Sequence, residues 1–264
     1  MAFRFCSLAS GSSGNCQYIE TNRLKLLIDA GLSGRKIESS LKTIGVSPES
    51  INGILVTHEH KDHIKGVGIL SRRYNLPIYA NENTWKAMEN DIGKINVDNI
   101  RTFKTEEEFE LGDLGILPFK TSHDSIESVG FCFYHKNKKI SLVTDTGFVN
   151  QNIKKKIYDS DLLVIESNHD IEMLKMGRYP WFLKKRIMGD TGHLSNDLAG
   201  EVISEVFSGK RQRVLLAHLS KENNFPELAY QTVVNILIDK GIKIGDDIII
   251  GLTQRDNPTK IYNL

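Results

Sequence analysis

The stretch that most limits what this chain can become is Thr57-His58-Glu59-His60-Lys61-Asp62-His63. It follows the apolar run Ile54-Leu55-Val56 and precedes a helical stretch that begins at Ile64. Three imidazoles and the Asp62 carboxylate crowd into six residues. Protonated, the imidazoles would repel one another; buried without partners, the group would be costly. A divalent cation removes both problems, because neutral imidazole and carboxylate are good ligands for zinc or manganese. At a strand end His58 and His60 point the same way, since side chains alternate with period two. The turn that follows then aims Asp62 and His63 at a second position nearby. The alternative, a solvated loop that happens to be rich in histidine, leaves the placement between strand and helix unexplained.

Three further candidates stand at the ends of apolar runs. His123 follows Ile116 to Phe119 after Lys120-Thr121-Ser122, Asp145 follows Ile140 to Val143, and His218 follows Val214 to Ala217. Each alone reads equally well as a structural polar residue. With the upstream cluster they complete two coordination shells.

Other short apolar runs read as strands: Phe3 to Ser7, Gln17 to Glu20, Leu24 to Ile28, Val129 to Phe133 and Leu162 to Ile165. Asn22-Arg23 and Asn137 mark hairpin turns. Helical spacing runs from Ser195, a plausible N-cap, to just before Gly209, and from Pro226 to Gly241. Shorter helices are predicted over 64–74, 83–90 and 150–158. Early hairpins followed by mixed strands and helices predict a layered α/β protein, and one domain over 1–264 is the simplest organisation. With 40% hydrophobic and 25% charged residues, the chain suits a globular fold with a sizeable core. Its net charge of +1 gives no global attraction to nucleic acid or to an anionic membrane, so any grip on a polyanion must be local. No apolar run reaches the roughly 18 residues of a membrane span, and the first residues lack a secretory signal. Cys6, Cys16 and Cys132 show no metal-ligand spacing and read as core residues of a reduced, cytoplasmic protein.

The pattern H-x-H-x-D-H followed by a separate His, Asp and His resembles the metallo-β-lactamase superfamily. The resemblance spans nearly the whole chain and implies a four-layer αββα sandwich with metals in a cleft between two sheets. It implies that His58, His60 and His123 hold one divalent ion, Asp62, His63 and His218 a second, and that Asp145 bridges them. His60 stands where the oxygen-reducing flavo-diiron branch has Glu, which argues against that role. Two such ions share a water and lower its pKa. Two +2 ions, two aspartates and a hydroxide leave about +1, which favours an anionic substrate such as a phosphodiester.

Thr191-Gly192-His193-Leu194-Ser195-Asn196 opens a helix ahead of the last candidate ligand. That order resembles the nuclease branches, notably RNase Z, and implies that His193 donates a proton to the leaving oxygen or holds the phosphate. A locally bonded helix-start histidine is the plainer alternative. Glu166, ending a strand, is the carboxylate expected to orient His193, or else an ordinary surface acid. With Asp62 these form the expected catalytic set.

Closer is the YycJ/WalJ family, on Leu8-Ala9-Ser10-Gly11-Ser12-Ser13-Gly14-Asn15, the His58–His63 cluster, Glu166-Ser167-Asn168-His169-Asp170 and Gly192 to Asn196. That resemblance implies 5′-to-3′ exonuclease action on DNA, and a functional link to a cell-wall two-component system. The loop Ser10 to Asn15 then cradles an oxyanion with backbone N–H groups, or is a plain hairpin loop. Candidate substrate contacts are Ser12, Ser13, Asn15, Asn168 and Arg178. The segment Lys175 to Arg186 mixes five positive charges with three aromatics and no acid. It reads as a grip for phosphates and exposed bases, or as a helical hairpin with its aromatics packed inward. Lys154-Lys155-Lys156 reads as a solvated helix face and His135 as an exposed turn residue. His169 either lines the cleft or ends a strand. The competing functions are an RNA-processing nuclease, a small-molecule thioester or lactone hydrolase, and a non-catalytic metal-binding regulator.

Overall fold

The protein is described here from a computed structural model, over residues 3–264. The first sheet takes β1 (Arg4–Ala9), β2 (Cys16–Glu20), β3 (Lys25–Ile28), β4 (Gly53–Leu55), β5 (Ile78–Ala80) and β6 (Ile100–Thr102). The second takes β7 (Phe109–Leu111), β8 (Leu114–Lys120), β9 (Val129–His135), β10 (Lys138–Val143), β11 (Leu162–Glu166), β12 (Gln212–Ala217) and β13 (Ile248–Leu252). The chain then returns to the first sheet as β14 (Tyr262–Asn263), beside β1. The orders are β14-β1-β2-β3-β4-β5-β6 and β13-β12-β11-β10-β9-β8-β7. Each sheet is antiparallel at its start and parallel later, as in β3-β4-β5-β6 and β10-β11-β12-β13.

Period-two alternation sorts the buried side chains into three cores. Leu26, Ile28, Leu162 and Val164 meet between the two sheets with Phe5, Phe131 and Phe133. Leu27 and Ile54 face outward, toward Ile37 and Leu41 of α1 (Gly34–Thr43). On that side lie also α2 (Lys61–Ile64), α3 (Val67–Tyr74) and α4 (Glu82–Ile92). Leu163 and Ile165 face the other way. There they meet α5 (Gln151–Ile157), α8 (Asn196–Val206) and α9 (Pro226–Asp239). The short pair α6 (Ile171–Met176) and α7 (Trp181–Met188) comes between β11 and α8 in the chain. Three cores between four layers make the αββα sandwich expected from the sequence.

Two local readings need correction. The helix predicted over 64–74 begins only at Val67, as α3; Ile64 ends α2, and the break falls at Gly66, whose N–H bonds the Ala30 carbonyl at 2.6 Å. A Cβ at Gly66 would lie 2.4 Å from the Leu32 carbonyl, so only glycine lets the two segments pack there. His135 is buried, not exposed: β9 runs through it, its Nδ1–H donates to the Asp113 carbonyl at 2.9 Å, and the turn falls at Lys136, with φ +56°. Among the described residues no helix is long and apolar enough to cross a membrane.

Candidate metal centre

The site forms where strands of both sheets end. Asp29 follows β3, His58 follows β4, and Asp62 and His63 lie in α2. His123, Asp145 and His218 follow β8, β10 and β12, and Glu166 is the last residue of β11. In open α/β sheets the crevice at the carboxyl ends of parallel strands is where ligands bind. Asp29, Asp145 and His218 have φ of +61°, +55° and +56°, a left-handed backbone that costs non-glycine residues energy. Three such residues at one site turn their chains sharply enough to bring short side chains inward.

Ligand atoms of His58, His60 and His123 lie within 4.8 Å of one another, as do those of Asp62, His63 and His218. Asp145 sits between the groups, its Oδ2 3.4 Å from His63 Nε2 and its Oδ1 3.8 Å from His123 Nε2. The structure therefore brings together all seven residues singled out in the sequence.

Each of His58, His63, His123 and His218 is held by its Nδ1, which turns Nε2 toward the centre. His58 Nδ1 bonds Thr57 Oγ1 at 3.0 Å, and His63 Nδ1 donates to Asp29 Oδ2 at 2.7 Å. His123 Nδ1 donates to the Gly192 carbonyl at 3.2 Å, and His218 Nδ1 to Glu166 Oε1 at 2.7 Å. His60 presents Nδ1 instead, 3.3 Å from His123 Nε2. His58 Nε2, His218 Nε2 and Asp145 Oδ2 are buried without a hydrogen-bond partner. Native interiors rarely leave such atoms unsatisfied, and a divalent ion fits that N/O donor set.

Protonation states follow from burial and neighbours. Burial, reinforced by the surrounding imidazoles, holds His58 well below the ordinary histidine value and therefore neutral. Burial also pulls on His63, but Asp29, Asp145 and Asp62 outweigh it and raise that imidazole to about 9. His218 is likewise raised against its burial, by Asp145, Asp62 and Glu166. Asp62 and Glu166 are pushed below the usual carboxylate range; their burial opposes this and the adjacent histidines overcome it. Metal-free protein thus holds protons on His63 and His218 that a cation must displace.

The chain matches the Beta-lactamase superfamily domain over residues 25–219. It is 45% identical to Exodeoxyribonuclease YycJ of Bacillus anthracis, over 99% of each chain. It is 43% identical to Exodeoxyribonuclease WalJ of Streptococcus pneumoniae serotype 2, over 100% of this chain and 99% of that one. The chain belongs to the YycJ/WalJ family of the beta-lactamase superfamily. Among solved structures, the metallo-β-lactamase fold protein YhfI of Bacillus subtilis superposes with a TM-score of 0.73 at 14% identity, over 100% of both chains. That likeness bears on the fold alone.

In this YycJ/WalJ member the cleft above the ligands encloses about 260 Å³, with His193, Ser12, Asn168, Tyr179 and Arg186 on its walls. His193 Nδ1 lies 2.8 Å from Glu166 Oε1, the pairing expected from the sequence. Glu166 is fully buried and also holds His218, while its Oε2 accepts from the backbone N–H of Thr146 and Leu194. Asn15 and Asn168 contact the candidate ligands. Asn15 Nδ2 lies 3.0 Å from His63 Nε2 and 3.4 Å from Asp62 Oδ2, and Asn168 Nδ2 donates to the His218 carbonyl at 2.8 Å. Ser13 and Arg178 are exposed and stand off the cleft wall. His169 is buried, pairing with Ser195 in a one-residue bridge. Sequence reasoning missed Asp29, which accepts from Thr57 N–H and Oγ1–H as well as from His63. Its signal was an acid ending the apolar run Leu26-Leu27-Ile28, just before Ala30-Gly31. Gly31 is needed there, because a Cβ would lie 1.6 Å from the Asp62 carbonyl oxygen.

Proposed function

We propose that the protein is a two-metal phosphodiesterase that removes nucleotides from DNA in the 5′-to-3′ direction. His58, His60 and His123 would hold one divalent ion, zinc or manganese, Asp62, His63 and His218 the other, and Asp145 would serve both. Bound there, the ions would lower the pKa of a shared water and offset the charge of the phosphodiester. The observation that carries the reading is the placement of His193. Its ring centroid lies 5.2 Å from His123 of one ligand group and 5.2 Å from His218 of the other. It therefore stands over the junction of the two groups while binding neither in the assigned scheme. Glu166 fixes the Nδ1 proton, so Nε2 is the nitrogen that faces the leaving oxygen and delivers a proton to it. Relatives named exodeoxyribonuclease at 45% and 43% identity support DNA as the substrate. Three buried, free cysteines support a reducing compartment, the cytoplasm.

The test is a panel of 5′-phosphorylated duplex DNA, the same sequence as RNA, and a thioester, each with manganese or zinc. Release of nucleotides from the 5′ end of DNA is expected. Turnover of the thioester alone would reject the proposal, and preference for RNA would move it to RNA processing.

A further inference from the structure

We propose that Trp181 and Phe182 form a stacking platform for unpaired bases of the strand whose backbone enters the catalytic cleft. This inference rests on the nuclease reading and goes beyond it, assigning recognition of the bases to a surface outside the metal centre. The two rings begin α7 and are 59% and 75% exposed, although aromatic side chains of this size are usually among the more buried. Apolar surface offered next to a charged cleft marks an interaction site.

Helix geometry connects the platform to the cleft. Residues four apart share a ridge, so Phe182 stands one turn from Arg186, which lines the cleft together with Tyr179 and Leu183. Trp181 shares the neighbouring ridge with Lys185, whose Nζ lies 5.7 Å from the indole centroid. The hairpin that carries them is anchored rather than loose. Lys184 is buried and donates from Nζ to the Lys175 carbonyl at 2.6 Å, while Leu174 and Ile187 pack inward.

Charge selects the occupant. No acid occurs from Lys175 to Arg186. Lys184 is spent on the hairpin and Arg186 pairs with Asp124, but Arg178 and Lys185 are exposed, Lys185 against the Trp181 ring. Aromatic faces interleaved with cations are the chemistry that holds single-stranded nucleic acid, through stacking that tolerates any base. The cleft, at about 260 Å³, falls below the ~300–1,000 Å³ usual for small-molecule pockets.

The experiment compares the unaltered protein with Trp181→Ala/Phe182→Ala, using two fluorescent 5′-phosphorylated strands with phosphorothioate links, one of thymidines and one abasic. Affinity is read by anisotropy in manganese, the fold by thermal melting, and association state by sedimentation. The double variant is expected to lose about tenfold or more in affinity for the thymidine strand and to match the unaltered protein on the abasic strand. Equal losses on both strands, or none on either, overturn the platform. So does a dimer of the unaltered protein that the substitutions dissociate, since the rings would then be its interface. An unaltered protein that binds neither strand and cleaves no DNA would instead defeat the nuclease reading itself.

Discussion

The two walls of the site use the same device for different ends. On the first sheet, the buried Asp29 carboxylate holds His63 through Nδ1 at 2.7 Å; on the second, the buried Glu166 carboxylate holds His218 through Nδ1 at 2.7 Å. Asp29 commits its remaining capacity to Thr57, which ties it to the start of the ligand loop. Glu166 gives the same oxygen that holds His218 to His193 as well. In the proposed scheme one wall places candidate ligands, whereas the other couples a candidate ligand to the proposed proton donor. A carboxylate behind a metal-bound histidine sets ring orientation and basicity. Only behind Glu166 does that setting reach a second histidine, His193, the proposed proton donor.

That difference can be broken at its strongest point by Glu166→Gln. Turnover on DNA is expected to fall roughly 10³-fold or more, since His193 and His218 both lose the carboxylate charge that holds them, with metal affinity falling about 10–100-fold. Saturating metal should not restore kcat; full restoration would mean that Glu166 serves the metal alone. His193→Ala isolates the proton donor. A loss of about 10²–10⁴ in kcat is expected with the metal content of the purified protein unchanged, and loss of metal would make His193 a ligand. Asp29→Asn probes the other wall, with a metal affinity lowered about 10–100-fold and a kcat that excess metal brings back. A kcat that stays low would show Asp29 coupled to the reaction as Glu166 is.

The smallest effect concerns His169, three residues beyond Glu166. Burial pushes its imidazole down to about 4, with His193 reinforcing this and Glu166 opposing it. The folded protein then binds this proton less readily than the unfolded chain, where the value is about 6.5. Its neutral form costs no stability above pH ~6.5, and stability is lost as pH falls from there toward about 4. His169→Asn is expected to flatten that part of the melting curve against pH by a few kcal/mol at most. An unaltered acid slope would mean that other groups set it.

What the sequence disclosed depended on how local each signal was. The His58–His63 cluster was legible by itself because its ligands share one strand end and one turn. Asp145 and His218, far along the chain, became ligand candidates only beside that cluster. Asp29 escaped because a single acid after an apolar run looks like any turn residue, and its left-handed φ of +61° has no sequence mark. The edge strands β6 and β7 were missed for another reason: each has three residues, and neither contains a buried one. β13, with Ile248-Ile249-Ile250, was missed although its apolar run was visible. His135 was misread by placing the hairpin turn one residue early, which moved a sheet residue into solvent. For the basic aromatic segment, sequence left two readings open. The structure separates its parts, with Lys184 packed inward and Trp181 and Phe182 left outside.

Anomalous diffraction from crystals of the protein grown with manganese tests the two-cation centre most directly. Two peaks are expected in the cleft, one among His58, His60 and His123 and one among Asp62, His63 and His218, with Asp145 reaching both. A single peak, or manganese bound away from these side chains, would contradict it.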